Sequence, residues 1–262
     1  MKPGLSRRSV VRAAAAVAVG GAGVLPLRAE EVPDLIARAK PSIALVGSYA
    51  ETDSPRFTFF GTGFAVRDGN TLVTCAHVVQ LEMSATAERK LSVQVRTSTG
   101  WEQRNVTSVN KDVPRDLAVL RFDGPPVPAL QLAAGDTVRE GQSVLTIGFP
   151  LGGALGFSPV AHRGMVAART AMVPPANRAA GLNERAIAQL RQGRLEVYQL
   201  DMTAYPGNSG GPLLDIASGR VVGVVSSGIV KASREYALSS PSGITYAVPV
   251  GWLRTTGLLE GN

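Results

Sequence analysis

The chain has 262 residues, 45% of them hydrophobic and 18% charged, so it can bury a substantial core, which excludes an intrinsically disordered protein. The formal net charge of +7 would favour a nucleic-acid partner. Five positive charges and no acidic residue lie within residues 1–29, which leaves only +2 for the other residues. Because those residues contain no Lys/Arg cluster interleaved with aromatic residues, we expect no nucleic-acid partner.

Residues 1–29 have the pattern of an export signal. A basic start, Ser6–Arg12, contains paired arginines; a weakly apolar stretch, Ala13–Leu25, follows it; and Leu27–Ala29 ends in a small residue that suits a cleavage site. The paired arginines and the weak hydrophobicity resemble a bacterial twin-arginine signal. The apolar stretch is shorter than the roughly 20 residues that a spanning helix needs. We therefore expect a processed, periplasmic or secreted protein with no stable membrane span; an uncleaved anchor is the alternative.

After the signal, one short helix is predicted over Val32–Ala39, ended by Pro41, and strand patterns then dominate. Short segments rich in Val, Ile, Thr and Phe alternate with Gly, Asn, Asp and Pro. The first six predicted strands are Ile43–Gly47, Phe57–Val66, Thr71–Thr74, Leu91–Arg96, Asn105–Val109 and Leu117–Phe122. The proline-rich segment Asp123–Pro128 is predicted to link two halves of the chain.

The second half repeats this style. Its predicted strands are Ser143–Gly148, His162–Ala168, Leu195–Met202, Pro212–Leu214, Val221–Ser226 and Ile244–Val248. Two all-β halves of six short strands indicate paired antiparallel barrels or sandwiches. Pro174–Gly193 breaks the pattern and is predicted to be a surface insertion with a short helix, and Gly251–Arg254 a last helical turn over the second half.

The only cysteine, Cys75, rules out an intrachain disulfide. With two histidines and one cysteine in the chain we expect no metal site and no cofactor. Cys75 lies two residues before His77, so a catalytic Cys–His pair has to be weighed. On a strand these two positions share a face, and a small buried apolar role for Cys75 is favoured.

A serine nucleophile is predicted from three fragments. The segment Gly207–Pro212 places Ser209 in a glycine-rich turn before an apolar run, and His77 and Asp116 precede it within apolar segments. His, Asp, Ser is one of the chain orders of nucleophilic triads. The hypothesis is that Ser209 attacks, His77 acts as general base and then acid, and Asp116 orients the imidazole. Since His77 and Asp116 belong to the first half and Ser209 to the second, the active site is expected in the cleft between them.

The same turn supplies candidate donors for the oxyanion of a tetrahedral intermediate. We expect the oxyanion hole at Gly207, Asn208 and Ser209, with the backbone N–H groups of Gly207 and Ser209 as the donors. Glycine-containing turns can point successive amides in the same direction.

These fragments resemble trypsin-fold serine proteases, and within them the bacterial Deg/HtrA type. The similar segments, within about residues 40–255, are Gln199–Leu213, Gly61–Phe64, Gly148–Gly152 and Gly243–Pro249. The resemblance implies an all-β fold of two six-stranded antiparallel β-barrels in a peptidase domain over 30–262, with barrels at about 42–122 and 132–250. It also implies polypeptide substrates, unfolded proteins among them, and leaves a homo-oligomer open.

The chain departs from the family pattern in two respects. Too few residues follow Pro249 for the PDZ domain that members usually carry, and the 174–193 insertion has no counterpart. We therefore expect a protease of this type without a PDZ domain.

The resemblance also implies a specificity pocket. Thr203, six residues before the nucleophile, would form the base of S1, with Ser226, Ser227 and Gly228 in its wall. Because no acid stands at Thr203, we expect a small or medium aliphatic P1 residue and no preference for Lys or Arg. His162 is predicted to be a loop or strand-end residue outside the site.

The function predicted from the sequence is an exported serine endopeptidase that acts through an acyl-enzyme. Two alternatives stay open. One is a catalytically silent binding module that uses the same cleft; the other is an acyl hydrolase of another substrate class. The absence of a G-x-S-x-G elbow within alternating strands and helices counts against the hydrolase fold.

Overall fold

Twelve strands in two closed antiparallel barrels make up about half of the described residues, and this architecture confirms the predicted fold class. The computed structural model describes residues 31–79, 89–135, 138–152, 156–171, 195–226 and 243–260. The export signal and the 174–193 insertion lie outside these residues. None of the described helices is long and apolar enough to cross a membrane.

The first barrel closes in the order β1-β2-β3-β6-β5-β4. Its strands are β1 Ile43–Tyr49, β2 Phe57–Val66, β3 Thr71–Thr74, β4 Lys90–Thr97, β5 Gly100–Asp112 and β6 Leu117–Phe122. Strand β5 begins five residues before its predicted start, because Gly100, with a φ of 132°, makes a tight turn that pairs with Thr97. The early part of β5 is mostly polar, so no β-branched run marked it as a strand.

The second barrel closes in the order β10-β11-β12-β9-β8-β7. Its strands are β7 Ser143–Gly148, β8 Val160–Ala171, β9 Glu196–Asp201, β10 Pro212–Asp215, β11 Val221–Ser226 and β12 Ile244–Pro249. The side chains of β7 show how one strand serves two cores. Val144 packs inside the second barrel, whereas Leu145 and Ile147 join a larger cluster shared with the first barrel. A contiguous apolar core therefore holds the two barrels together.

The predicted helix α1, Val32–Ala39, is present and buries Leu35 and Ala39 against the first barrel. A single 3₁₀ turn, Lys40–Ser42, follows it at the predicted stop. Pro41 fits there because a proline lacks the N–H that a longer helix would need.

The segment between the barrels is hydrogen-bonded to both of them. The Leu130 N–H donates to the Ala65 carbonyl of the first barrel at 2.8 Å, and the Ala133 N–H donates to the Val221 carbonyl of the second at 2.8 Å. The linker is thus fixed to the body of the protein.

The C-terminal tail lies differently from the expectation that it packs over the second half. Helix α2, Gly251–Thr255, is present, but the tail also contacts the first barrel. The Arg67 side chain donates to the Leu259 carbonyl, and the Asn110 side chain donates to the Leu258 carbonyl at 3.5 Å. Leu253 and Leu258 belong to the core shared by the barrels, which draws the tail onto both.

Candidate active site

Three loops at the contact between the barrels carry the predicted catalytic residues. His77 follows β3, in turns closed by bonds from Val78 N–H to the Cys75 carbonyl and from Val79 N–H to the Ala76 carbonyl, both 3.2 Å. Asp116 stands directly before β6 in the first barrel, and Ser209 precedes β10 in the second.

His77 and Asp116 form a close pair. The His77 Nδ1 lies 2.9 Å and 2.8 Å from the two carboxylate oxygens of Asp116, and the His77 backbone N–H donates to Oδ1 at 2.9 Å. A carboxylate only accepts hydrogen bonds, so Nδ1 carries the proton and Nε2 is left as the acceptor. This is the tautomer that a general base requires.

Ser226 completes the surroundings of the carboxylate. Ser226 is buried, with 1% of its surface exposed, and its hydroxyl donates to Asp116 Oδ2 at 2.6 Å from one barrel to the other. Burial raises the pKa of Asp116, but the hydrogen bonds from His77 and Ser226 outweigh it and hold the pKa below the ordinary carboxyl value. Sequence reasoning gave Ser226 to the S1 wall and missed this contact, which joins residues 110 positions apart.

The backbone at Asp116 is unusual for a residue other than glycine, since its φ is 55°. The turn is held by the Asp116 N–H, which donates to the Val113 carbonyl at 3.2 Å, and by an Arg115–Asp112 ion pair of 2.7 Å. The Arg115 guanidinium also lies over the Trp252 ring, 4.4 Å from its centroid. The C-terminal helix therefore packs against the turn that carries Asp116.

The nucleophile turn is fixed by its own backbone and by Thr62. Asn208 N–H donates to the Tyr205 carbonyl at 3.0 Å, and Gly207 has a φ of 102°, a conformation that favours glycine. The Thr62 hydroxyl donates to the Gly207 carbonyl at 2.6 Å and accepts from the Phe149 N–H at 3.1 Å. The Thr62 N–H donates to the Ser209 carbonyl at 2.8 Å.

These contacts bear on the predicted oxyanion hole. The Asn208 amide is engaged by Tyr205, whereas the Gly207 N–H has no acceptor within the described ranges. The Asn208 side chain is fully buried, and neither its Oδ1 nor its Nδ2 has a partner among the described residues. Sequence reasoning missed the role of Thr62, because its partners Gly207 and Phe149 lie 145 and 87 residues away.

Among the described residues, Cys75 is the one further group near the pair that could join it in holding a metal ion. Its sulfur, an atom of His77 and one of Asp116 lie within 4.8 Å of one another. Burial raises the pKa of the thiol well above its ordinary value, and the thiol donates to the Val225 carbonyl at 3.3 Å. A metal would require a thiolate there, and the carboxylate already accepts from His77 and Ser226, so this donor set fits a metal poorly.

The predicted S1 residues are only partly described. Thr203 is half-buried in the loop between β9 and β10, and Ser226 ends β11; Ser227 and Gly228 lie outside the described residues. His162 is the third residue of β8, and its ring centroid lies 6.1 Å from that of Tyr205. Burial lowers the pKa of His162.

Two antiparallel six-stranded barrels, with an imidazole–carboxylate pair on one and a serine in a glycine turn on the other, define a serine peptidase of the trypsin-like class. The family model described as a trypsin-like peptidase domain matches residues 61–224, more than half of the chain. The chain belongs to this family.

Its relatives are of the HtrA and DegP type, as the sequence predicted. A probable periplasmic serine endoprotease, DegP-like, of Pseudomonas fluorescens is 30% identical over 190 residues, 72% of this chain and 32% of the relative. The mitochondrial serine protease HTRA2 of Drosophila pseudoobscura is 29% identical over 196 residues, 74% of this chain and 37% of the relative. The chain thus spans about a third of the length of these curated relatives.

Solved structures share the fold. The crystal structure of Deg5 superposes with a TM-score of 0.61 at 21% identity, over 88% of this chain and 95% of that one. The HtrA-type protease AlgW with a tripeptide gives a TM-score of 0.57 at 24% identity, over 89% of this chain and 65% of that one.

Proposed function

We propose that the protein is an exported serine endopeptidase that cleaves peptide bonds in polypeptides through Ser209, His77 and Asp116. The observation that carries the proposal is the His77–Asp116 pair, whose 2.8 Å and 2.9 Å contacts leave Nε2 as the free basic nitrogen of the imidazole. An isolated serine hydroxyl is a weak nucleophile and needs such a base.

In the proposed reaction, Ser209 Oγ forms a bond to the carbonyl carbon of the scissile peptide while His77 Nε2 takes the hydroxyl proton. The Asp116 carboxylate, held ionised by its hydrogen bonds, stabilises the resulting imidazolium. The imidazolium then donates this proton to the departing amine, which leaves an acyl-enzyme. A water molecule attacks the ester with His77 again as base, and the acid product leaves with Ser209 restored.

The negative charge on the tetrahedral oxygen is proposed to rest on two backbone donors, the N–H groups of Gly207 and Ser209. The Asn208 N–H is bonded to Tyr205, so Asn208 contributes to the oxyanion hole through the shape of the turn rather than as a third donor. Removal of one oxyanion donor costs about 10²–10³ in rate in serine proteases.

The proposed substrates are unfolded or extended polypeptides with a small or medium aliphatic P1 residue. The support is Thr203, a neutral residue at the expected base of S1, which gives a Lys or Arg side chain no carboxylate to pair with. Ser226, Ser227 and Gly228 are proposed as the wall. Because Ser226 Oγ already donates to Asp116, its part in S1 would fall to its backbone.

The paired arginines Arg7 and Arg8 support export through the twin-arginine route. We propose that residues 1–29 are removed during export and that the mature protein is periplasmic or secreted. The Pseudomonas fluorescens relative is described as periplasmic, which agrees with this proposal.

The test is digestion of unfolded casein by the purified chain, with the fragments identified by mass spectrometry. Ser209→Ala should abolish cleavage and labelling by a fluorophosphonate probe, while Ser108→Ala, a change at an exposed serine of β5, should leave both intact. A wild-type chain that is folded but neither cleaves nor reacts with the probe would support a silent binding module instead. Labelling without cleavage, together with turnover of simple esters, would support an acyl hydrolase of another class.

A further inference from the structure

A cavity of 610 Å³ opens where the linker, the β2–β3 turn, the start of β11 and the C-terminal tail meet. None of His77, Asp116 and Ser209 lines it. Its volume falls within the roughly 300–1,000 Å³ of small-molecule sites. The residues that give it chemical character are Arg67, Arg220, Arg254, Leu130, Leu132 and Leu259.

The arginines come from three separate parts of the chain. Arg67 donates to the Leu259 carbonyl, and Arg254 donates to the Ala133 and Ala134 carbonyls at 2.6 Å each, so the positions of two guanidinium groups are fixed by the backbone. Each guanidinium has five N–H donors, and these bonds leave several unused. The linker and the tail are therefore held by groups that can still bind a ligand.

The described residues do not neutralise the positive charge of the cavity. Arg220 is exposed, and its guanidinium has no partner among the described residues. Glu260 is the only acidic residue of the lining, and it makes no ion pair with any described residue. Three cations face one anion, and this excess favours a negatively charged ligand.

The cavity lining also includes apolar side chains. Leu130, Leu132 and Leu259 are half-buried and pack against the core that the two barrels share. A leucine wall beside three guanidinium groups matches a molecule with an acidic head and an aliphatic body, whereas a purely polar anion would leave the leucines in contact with water.

We propose that this cavity is a binding site for an amphiphilic carboxylate, with the carboxylate among the arginines and the aliphatic chain on the leucines. A planar guanidinium pairs with a carboxylate through two parallel hydrogen bonds, and an aliphatic chain gains by leaving water. The site is distinct from the proposed catalytic centre, so its existence does not depend on peptidase activity.

The test measures binding of octanoate to the purified chain by titration calorimetry at low salt, with octanamide as the neutral isostere. Octanoate should bind saturably, and its affinity should fall with added salt. Octanamide should bind at least about tenfold more weakly because it forms no charged pair. Arg220→Gln should weaken octanoate binding about tenfold, while Arg163→Gln, a change at an exposed arginine of β8, should leave it unchanged. Glu260→Gln should strengthen it about twofold to fivefold by removing the opposing charge.

The place of binding is tested with a diazirine-bearing aliphatic carboxylate, which forms a covalent adduct on irradiation. Adducts in peptides containing 129–132 or 254–260 support the proposal, and adducts confined to the catalytic loops overturn it. Absence of saturable octanoate binding, equal binding of octanamide, or equal binding to Arg220→Gln and Arg163→Gln would each also overturn it.

Discussion

Replacing Thr62 by Val removes one hydroxyl and keeps the shape of a fully buried side chain. Two hydrogen bonds disappear, the 2.6 Å bond to the Gly207 carbonyl and the 3.1 Å bond from the Phe149 N–H. Leaving a buried polar group without a partner costs about 1–3 kcal/mol, so the two losses should lower the free energy of unfolding by about 2–6 kcal/mol. The Gly207 carbonyl also loses the hydrogen bond that fixes its orientation. The neighbouring Gly207 N–H is then no longer held in the direction of the oxyanion, and we expect kcat/KM to fall by about 10²-fold.

The assay combines urea unfolding with kcat/KM on an aliphatic-P1 peptide, measured where every variant is fully folded. Thr74→Val is the matched control, because it removes the 2.7 Å bond from Thr74 Oγ1 to the Thr62 carbonyl but no bond to Gly207. Thr62→Ser, which keeps the hydroxyl, should recover most of the activity. If Thr62→Val and Thr74→Val have the same kcat/KM while folded, Thr62 only stabilises the barrels and the reasoning about the oxyanion turn is refuted.

Three further predictions concern protonation, the C-terminal helix and Asn208. Lowering the pH should reduce the free energy of unfolding only below the ordinary carboxyl range, because the lowered pKa of Asp116 stabilises the fold above that range and this contribution is lost as the pH falls through the lowered value. A free energy of unfolding, measured in urea, that stays constant as the pH falls through and below that range would contradict this role of Asp116. Trp252→Ala should lower kcat about threefold to tenfold, because Arg115 loses the ring that packs against its guanidinium, and Trp252→Phe should stay closer to wild type. Steady-state kinetics together with urea unfolding measure these effects. Asn208→Asp should lower the free energy of unfolding by several kcal/mol because it buries a carboxylate without a described donor; an undiminished urea midpoint would contradict this account of Asn208.

The sequence predicted all twelve strands, most of them close to their observed bounds. Short segments rich in β-branched and aromatic residues predicted β2, β3 and β6 with their observed bounds. These residues pack well on a pleated surface, so their presence in a segment indicates a strand without knowledge of its partners. The start of β5 was missed because its pairing depends on a glycine turn rather than on apolar residues. The path of the tail was missed for a related reason. Nothing in the sequence around Trp252 and Leu258 indicates which barrel these two residues contact.

Several contacts that shape the candidate site are of this second kind, because they cross from one barrel to the other. Thr62 of the first barrel bonds to Gly207, and Ser226 of the second barrel bonds to Asp116. Cys75 bonds to the Val225 carbonyl across the same contact. Each barrel therefore supplies a positioning group for the reactive residues of the other, so a shift of one barrel against the other would disturb the imidazole pair and the nucleophile turn together. A pattern that specifies each barrel separately cannot reveal such bonds, because each needs both folds in place before its two partners meet.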